Sequence, residues 1–183
     1  RYWNMRNRDV ESIMKNVKGI DAISPIIWGN SSDKNVVYGQ LSGTYNVKVV
    51  FPDYFKIESQ DIFYGRLLND IDLQGKRKVC LIGKNVNEVL FKNQNPCGKF
   101  VRVNGLYYQV VGVIKGKASG LNLGGRSEES IYIPFSTMQQ TLNQGDILHF
   151  LCISAIQGYS VEKVIADTKQ ILQAQNEISP TDP

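Results

Sequence analysis

The residues able to do chemistry in this 183-residue chain are few and badly placed for it. His149 is the single histidine, and it stands inside the apolar run ILHFLCIS. A nucleophile needing a histidine base would have to use it. Cys152 lies three residues further on, and on a strand such residues point to opposite faces, so a Cys–His pair made from these two is disfavoured. A buried or half-buried structural histidine is the reading adopted. Cys80 in VCLIG and Cys152 in FLCIS read as small buried hydrophobes on strands, and Cys97 in NPCGK sits at a loop-to-strand boundary. Three cysteines without a CxxC spacing are too few for a disulfide scaffold, and one histidine without spaced partners builds no metal centre. No catalytic residue, metal ligand or cofactor site is assigned.

The carboxylates come in two small clusters, Asp70 with Asp72 and Glu128 with Glu129. On a strand, Asp70 and Asp72 would share a face and form an acid/base or cation pair. The preferred reading is a solvated turn, NDIDLQG; the alternative is Arg66 pairing with Asp70 to pin the GRLLND corner. No Walker motif occurs, and the glycine-rich stretch after residue 116 lacks both GxGxxG order and a strand–loop–helix setting.

The formal charge of +4 comes from 21 Lys+Arg against 17 Asp+Glu, scattered singly or in short groups such as Lys76-Arg77-Lys78. That is a solvated surface rather than a nucleic-acid stripe, and no nucleic-acid partner is expected. No segment approaches the ~20 apolar residues of a membrane span. The chain starts at Arg1 without a leader pattern and is expected to be a piece of a larger protein.

These residues must be carried by elements that the periodicity marks out. Val10, Ile13, Met14 and Val17 fall at helical spacing, predicting a helix over 8–18 with Asp9 and Glu11 at its positive end and Gly19 stopping it. AISPIIW is extended, and Pro25 argues against a fully central strand. VVYGQLSGTY, NVKVVF and RKVCLIG read as strands, and Val86, Val89 and Leu90 mark a short helix. KFVRV and LYYQVVGVI flank Asn104-Gly105, the pair that a two-residue type I′ hairpin needs. GKASGLNLGGRSEES, Gly116–Ser130, reads as a long flexible loop. It carries Lys117, Leu121, Leu123 and Arg126 as candidate contacts for a partner. IYIP is a further strand, and Ser136 caps a short helix bearing Met138 and Leu142. ILHFLCISA is the last strand, followed by a helix capped by Ser160 with Val161, Val164, Ile165, Thr168, Ile171 and Leu172 on one stripe. Helices concentrated at both ends around a β-rich centre indicate an α+β fold: one unit from residues 1–35 and 147–183, with 36–146 inserted.

Four local motifs stand in a particular order: DAISPIIWG, VVFPDYFKIESQDIFYGRLLNDIDLQGKRKVCLIG, NPCGKFVRVNGLYYQVVGVI and IYIPFST. In this order the chain resembles the periplasmic core domain of MacB-like ABC-transporter permeases along nearly its whole length. It departs from the pattern at Phe51-Pro52-Asp53, where a glycine is usual before Tyr-Phe, and at Cys97, which replaces an aliphatic residue. The resemblance implies a domain between the first two transmembrane helices of a bacterial permease, on the periplasmic side of the cytoplasmic membrane. It implies a porter-like unit built from both chain ends, with the inserted lobe beside it. It also implies partners: the ABC ATPase and membrane helices of the same transporter, a second permease copy, and a periplasmic adaptor or outer-membrane component. Cytoplasmic ATP hydrolysis would then drive motion outside the membrane, for efflux or partner activation. Lipoprotein release and control of cell-wall enzymes use related domains. The competing reading is a free-standing secreted binding module or hydrolase, which would need a leader and a site.

Overall fold

The structure is a computed structural model that describes residues 7–117, 124–137 and 150–175. In chain order the elements are α1 (Asn7–Asn16), β1 (Ile20–Trp28), β2 (Val36–Tyr38), β3 (Leu41–Gly43), β4 (Asn46–Val50), α2 (Tyr54–Ile57), β5 (Gln60–Gly65) and α3 (Asp70–Gln74). Then come β6 (Val79–Gly83), α4 (Lys84–Phe91), β7 (Phe100–Val103), β8 (Leu106–Gly116), a 3-10 turn (Ser127–Glu129), β9 (Ser130–Pro134), β10 (Phe150–Ala155) and α5 (Val161–Gln175). The fold is α+β, as the helix and strand patterning required.

The ten strands of the described residues join one mixed sheet in the order β10-β1-β4-β9-β6-β8-β7-β2-β3, with β5 added on β8. β4 and β9 run parallel, in register from Asn46↔Ser130 to Val50↔Pro134, and β6 runs parallel to β8. Both faces of the central strands are covered. Alternation therefore sends Val79 and Leu81 into one core while Cys80 and Ile82 enter the other. The first core holds Val47, Val49, Ile131 and Ile133 against α4 residues Val86, Leu90 and Phe91. The second holds Ile26, Val50 and Tyr132 against Tyr54 and Phe55 of α2. Thr137 Oγ1 donates to Arg77 O at 2.6 Å, tying the end of β9 to the chain after α3.

The first and last described elements pack together. β1 pairs antiparallel with β10, Ser24 opposite Cys152, and α1 shares a third core with α5 through Val10, Ile13, Val17, Val164 and Leu172. On α5 the stripe is narrower than expected: Val164, Thr168 and Leu172 are buried, but Val161 and Ile165 are exposed.

Several local expectations change. β1 is paired on both sides despite Pro25. Its pairing to β4 starts only at Ile26↔Val50, and just before that the Phe51 N–H goes to Ser24 Oγ at 3.0 Å rather than to β1 backbone. VVYGQLSGTY is not one strand but the tight hairpin β2–β3. The sequence patterning missed β5 altogether, because Asp61, Ile62 and Phe63 are all exposed and no alternation survives. The Asn104-Gly105 hairpin forms as expected, with φ of 48° and 86°, values that only such residues adopt readily. The three cysteines are free thiols, with Cys80 buried on β6.

Candidate functional site

The loop joining β8 to β9 is where residue chemistry and position coincide. Its outgoing limb continues β8: Lys117 N–H donates to Ser59 O at 3.0 Å, and its ammonium lies 4.0 Å from Asp61 of β5. Its return limb opens with Gly124 and Gly125 and enters the 3-10 turn, where Arg126 pairs with Glu128 at 3.5 Å. The two limbs are fastened to each other, since Gly116 N–H donates to Ser127 Oγ at 2.7 Å and Ser127 is buried. Ser130 Oγ donates to Arg126 O at 2.6 Å, and Asn85 Nδ2 of α4 donates to Glu129 Oε1 at 2.8 Å. The structure thus sets Lys117 and Arg126 beside one pinched neck. Leu121 and Leu123 lie outside the described residues. The expectation of a flexible loop over all of 116–130 is corrected at its ends: Gly116 closes a strand and 127–130 are bound to the body.

Beneath the neck lies a group of polar side chains that the sequence reading overlooked. Lys48 of β4 is fully buried beside its register partner Tyr132, with Nζ 5.3 Å from that ring. Its ammonium donates to Gly125 O at 2.7 Å, reaching across 77 residues to the return limb. Burial pulls the Lys48 ammonium below the ordinary lysine value, while Glu58 and Glu128 pull the other way. Glu58, just after α2, is itself buried and accepts a hydrogen bond from Tyr54 Oη. Burial pushes the Glu58 carboxyl above the ordinary glutamate value against the opposing pull of Tyr54 and Lys48. The Tyr54 and Tyr132 hydroxyls are pushed up, by burial first. A signal did exist: in NVKVV the alternation that places Val47 and Val49 in one core leaves Lys48 between Asn46 and Val50 on the other face.

The limb fits closely here because it carries no side chains at 124 and 125. A Cβ on Gly124 would come within 2.0 Å of Trp28 Nε1, and one on Gly125 within 2.2 Å of Asn46 Nδ2. Both residues have positive φ, 70° and 105°.

The other sequence candidate is a structural corner. Arg66 pairs not with Asp70 but with Asp72, Nη1 to Oδ2 at 2.7 Å and Nη2 to Oδ1 at 3.0 Å. Asp70 is exposed at the start of α3, whereas Asp72 at its third position is buried and closes a capping box with Asn69. Helical geometry therefore replaces the solvated turn. Burial opposes the Asp72 charge, but Arg66, the Asn69 N–H and Arg77 together hold its carboxyl below the usual value. A bidentate guanidinium pair of this kind fixes a bend and offers no free acid or base. Among the described residues, no group of three or more His, Cys, Asp and Glu side chains could hold a metal, and no helix is long and apolar enough to cross a membrane. His149 lies outside the described residues.

Residues 2–171 match the family model of the MacB-like periplasmic core domain. The chain is 26% identical over 167 residues to an uncharacterized ABC transporter permease YknZ of Bacillus subtilis, covering 91% of this chain and 40% of that protein. It is 29% identical over 145 residues to the macrolide export ATP-binding/permease protein MacB of Aggregatibacter actinomycetemcomitans, covering 78% of this chain and 21% of that one. The chain thus spans well under half the length of either relative. In fold it is similar to the periplasmic region of MacB from Actinobacillus actinomycetemcomitans, with a TM-score of 0.79 at 20% identity over 95% of this chain and 75% of the other. The extracellular domain of the transporter YknZ from Gram-positive bacteria superposes with a TM-score of 0.77 at 17% identity, over 96% of this chain and 86% of that one.

Proposed function

This chain belongs to the MacB-like periplasmic core domain family, and from that premise we propose that it is the extracytoplasmic domain of a bacterial ABC-transporter permease. In this reading it has no catalytic task. It transmits motion, driven by ATP hydrolysis in a separate cytoplasmic domain or subunit, to efflux or to activation of a partner. The observation that carries the reading is the match over residues 2–171, the span that holds every element of the sheet. The packing of the first and last described elements, β1 on β10 and α1 on α5, agrees with it, because a domain hung between two membrane helices would receive and return the chain at neighbouring elements. The porter-like unit from 1–35 and 147–183 and the inserted lobe from 36–146 remain the proposed parts, with the β1–β4 pairing as their seam.

The partners proposed are the ATPase and membrane helices of the same transporter, a second permease copy, and an adaptor or outer-membrane component where the envelope has one. The β8–β9 loop, with Lys117, Leu121, Leu123 and Arg126, is the proposed contact with that outer partner. Binding residues are commonly placed on loops held by rigid strands, and the neck bond Gly116–Ser127 holds this one.

Topology is tested by replacing exposed Lys117 with Cys in the parent transporter and labelling intact cells with a membrane-impermeant maleimide. Labelling from outside supports the reading, and labelling only after lysis overturns it. The contact is tested by Leu121→Ser with Leu123→Ser in the same transporter, measuring adaptor pull-down and ATPase rate. Unchanged binding and transport with an intact fold would remove the loop from the contact.

A further inference from the structure

The neck of the β8–β9 loop is fastened from two directions, and the two fastenings differ in kind. One is a neutral bond between limbs, from Gly116 N–H to Ser127 Oγ at 2.7 Å. The other is a buried charge: Lys48, with none of its surface exposed, reaches from the middle of the sheet to Gly125 O at 2.7 Å. Apolar side chains would serve the packing of this face, as Val50 and Ile26 do around it. A lysine here instead must be desolvated, and a buried ion is kept only where its bonds are specific. The direct bond it makes is to the loop, at a residue whose missing Cβ lets the limb lie against Asn46. Glu58 and Glu128 stand on two further elements close enough to act on the ammonium, and Glu58 is already engaged by Tyr54.

We propose that Lys48 is a clasp, a positioning residue that holds the return limb 124–127 against β4 and whose release frees that limb as a unit while the sheet stays closed. The strands on either side do not depend on it. β4 and β9 remain paired through five backbone positions, and β9 is bonded to β6 by Leu81↔Tyr132 and Ile82↔Ile131. Among the described residues the limb's other polar contacts are Ser130 Oγ to Arg126 O, Glu129 N–H to Arg126 O, the Arg126–Glu128 ion pair at 3.5 Å and the neck bond, with Asn85 of α4 holding the Glu129 carboxylate just beyond it. The clasp therefore controls how far the root of the loop can move, whatever the loop touches. It rests on the geometry of the limb and not on the transporter reading.

The test is amide hydrogen exchange on the full 183-residue chain with Lys48→Met, which keeps an unbranched apolar stem and removes the ammonium. Exchange at Gly116 and Glu129, whose hydrogen bonds close on the limb, should rise by about ten- to a hundredfold, the range for losing one charge-assisted bond. Val47–Val50 and Ile131–Ile133 should keep their protection. Unchanged exchange at the limb overturns the clasp. So does an equal rise along β4, β9 and β6, or a failure to fold, since either makes Lys48 a packing residue of the sheet. Gly125→Ala attacks the same bond from the loop side with Lys48 intact, and it should open the same amides. If Gly125→Ala leaves them protected, the proposal fails whatever Lys48→Met does.

Discussion

Asp72 and Lys48 are both shielded completely from solvent, yet their surroundings treat the two charges in opposite ways. Asp72 receives two bonds from Arg66, one from the Asn69 N–H and an ion pair with Arg77 at 3.7 Å. Its carboxyl is accordingly held below the ordinary value although burial alone would raise it. Among the described residues Lys48 makes one direct bond, to a carbonyl of a loop, and it lies beside a carboxyl whose own affinity for protons has been raised. Burial by itself therefore decides nothing. A buried charge locks a corner when its partners outnumber its losses, and it remains a point of release when they do not.

The corner should give the largest effect. Asp72→Ala removes the guanidinium pair and half of the capping box. Arg66 and Arg77 keep 40% and 53% of their side-chain surface in water, so the loss should fall below that of a fully buried pair, to about 2 kcal/mol in urea unfolding. Asp72→Asn, which keeps the shape and an acceptor, should recover part of it. On the other side of the comparison, Tyr54→Phe strips Glu58 of its hydroxyl donor and should lower stability by about 1.5 kcal/mol. A larger loss there than at Asp72 would break the comparison, because the poorly partnered site would then be the stronger one.

The two carboxyls should also titrate against each other. Asp72 is depressed in the folded chain, so its stabilisation is present above the ordinary aspartate value and is lost as pH falls through the folded one. Glu58 is raised, so stability declines as pH climbs from the ordinary glutamate value to the folded one. Measured by stability against pH, Asp72→Asn should flatten the acid limb and Glu58→Gln should remove a fall on the neutral side. Neither change can exceed about 1.4 kcal/mol per pH unit, the limit for one proton. Slopes of the same sign would show that the environments have been misread. The smallest effect belongs to the neck: Ser127→Ala should cost under about 1 kcal/mol overall and speed exchange chiefly at Gly116.

Much of the fold was legible because it rests on local rules. Helical spacing set α1 and α5, strand-forming apolar runs set β6 and β8, and Asn104-Gly105 set the hairpin within its own two residues. The candidate cations Lys117 and Arg126 were found the same way, from a glycine-rich stretch between two strong strands. β5 was not legible, because a strand whose side chains stay in water has no burial pattern to show, and only its pairing to β8 makes it a strand. The partner of Arg66 was also hidden. Asp70 and Asp72 are two positions apart, about 200° around a helix, and it is the turn of α3 that sends one outward and the other into the corner.

From its composition and periodicity alone, the chain determined an α+β fold, and the order of its motifs determined the family. Alternation gave Lys48 its face, and the tertiary structure alone decided what it holds. Gly125 is 77 residues away along the chain, and no local rule can announce a bond that exists only once β4 and β9 lie side by side. A buried charge is legible in sequence as an anomaly, but its partner becomes visible only when the sheet has closed around it.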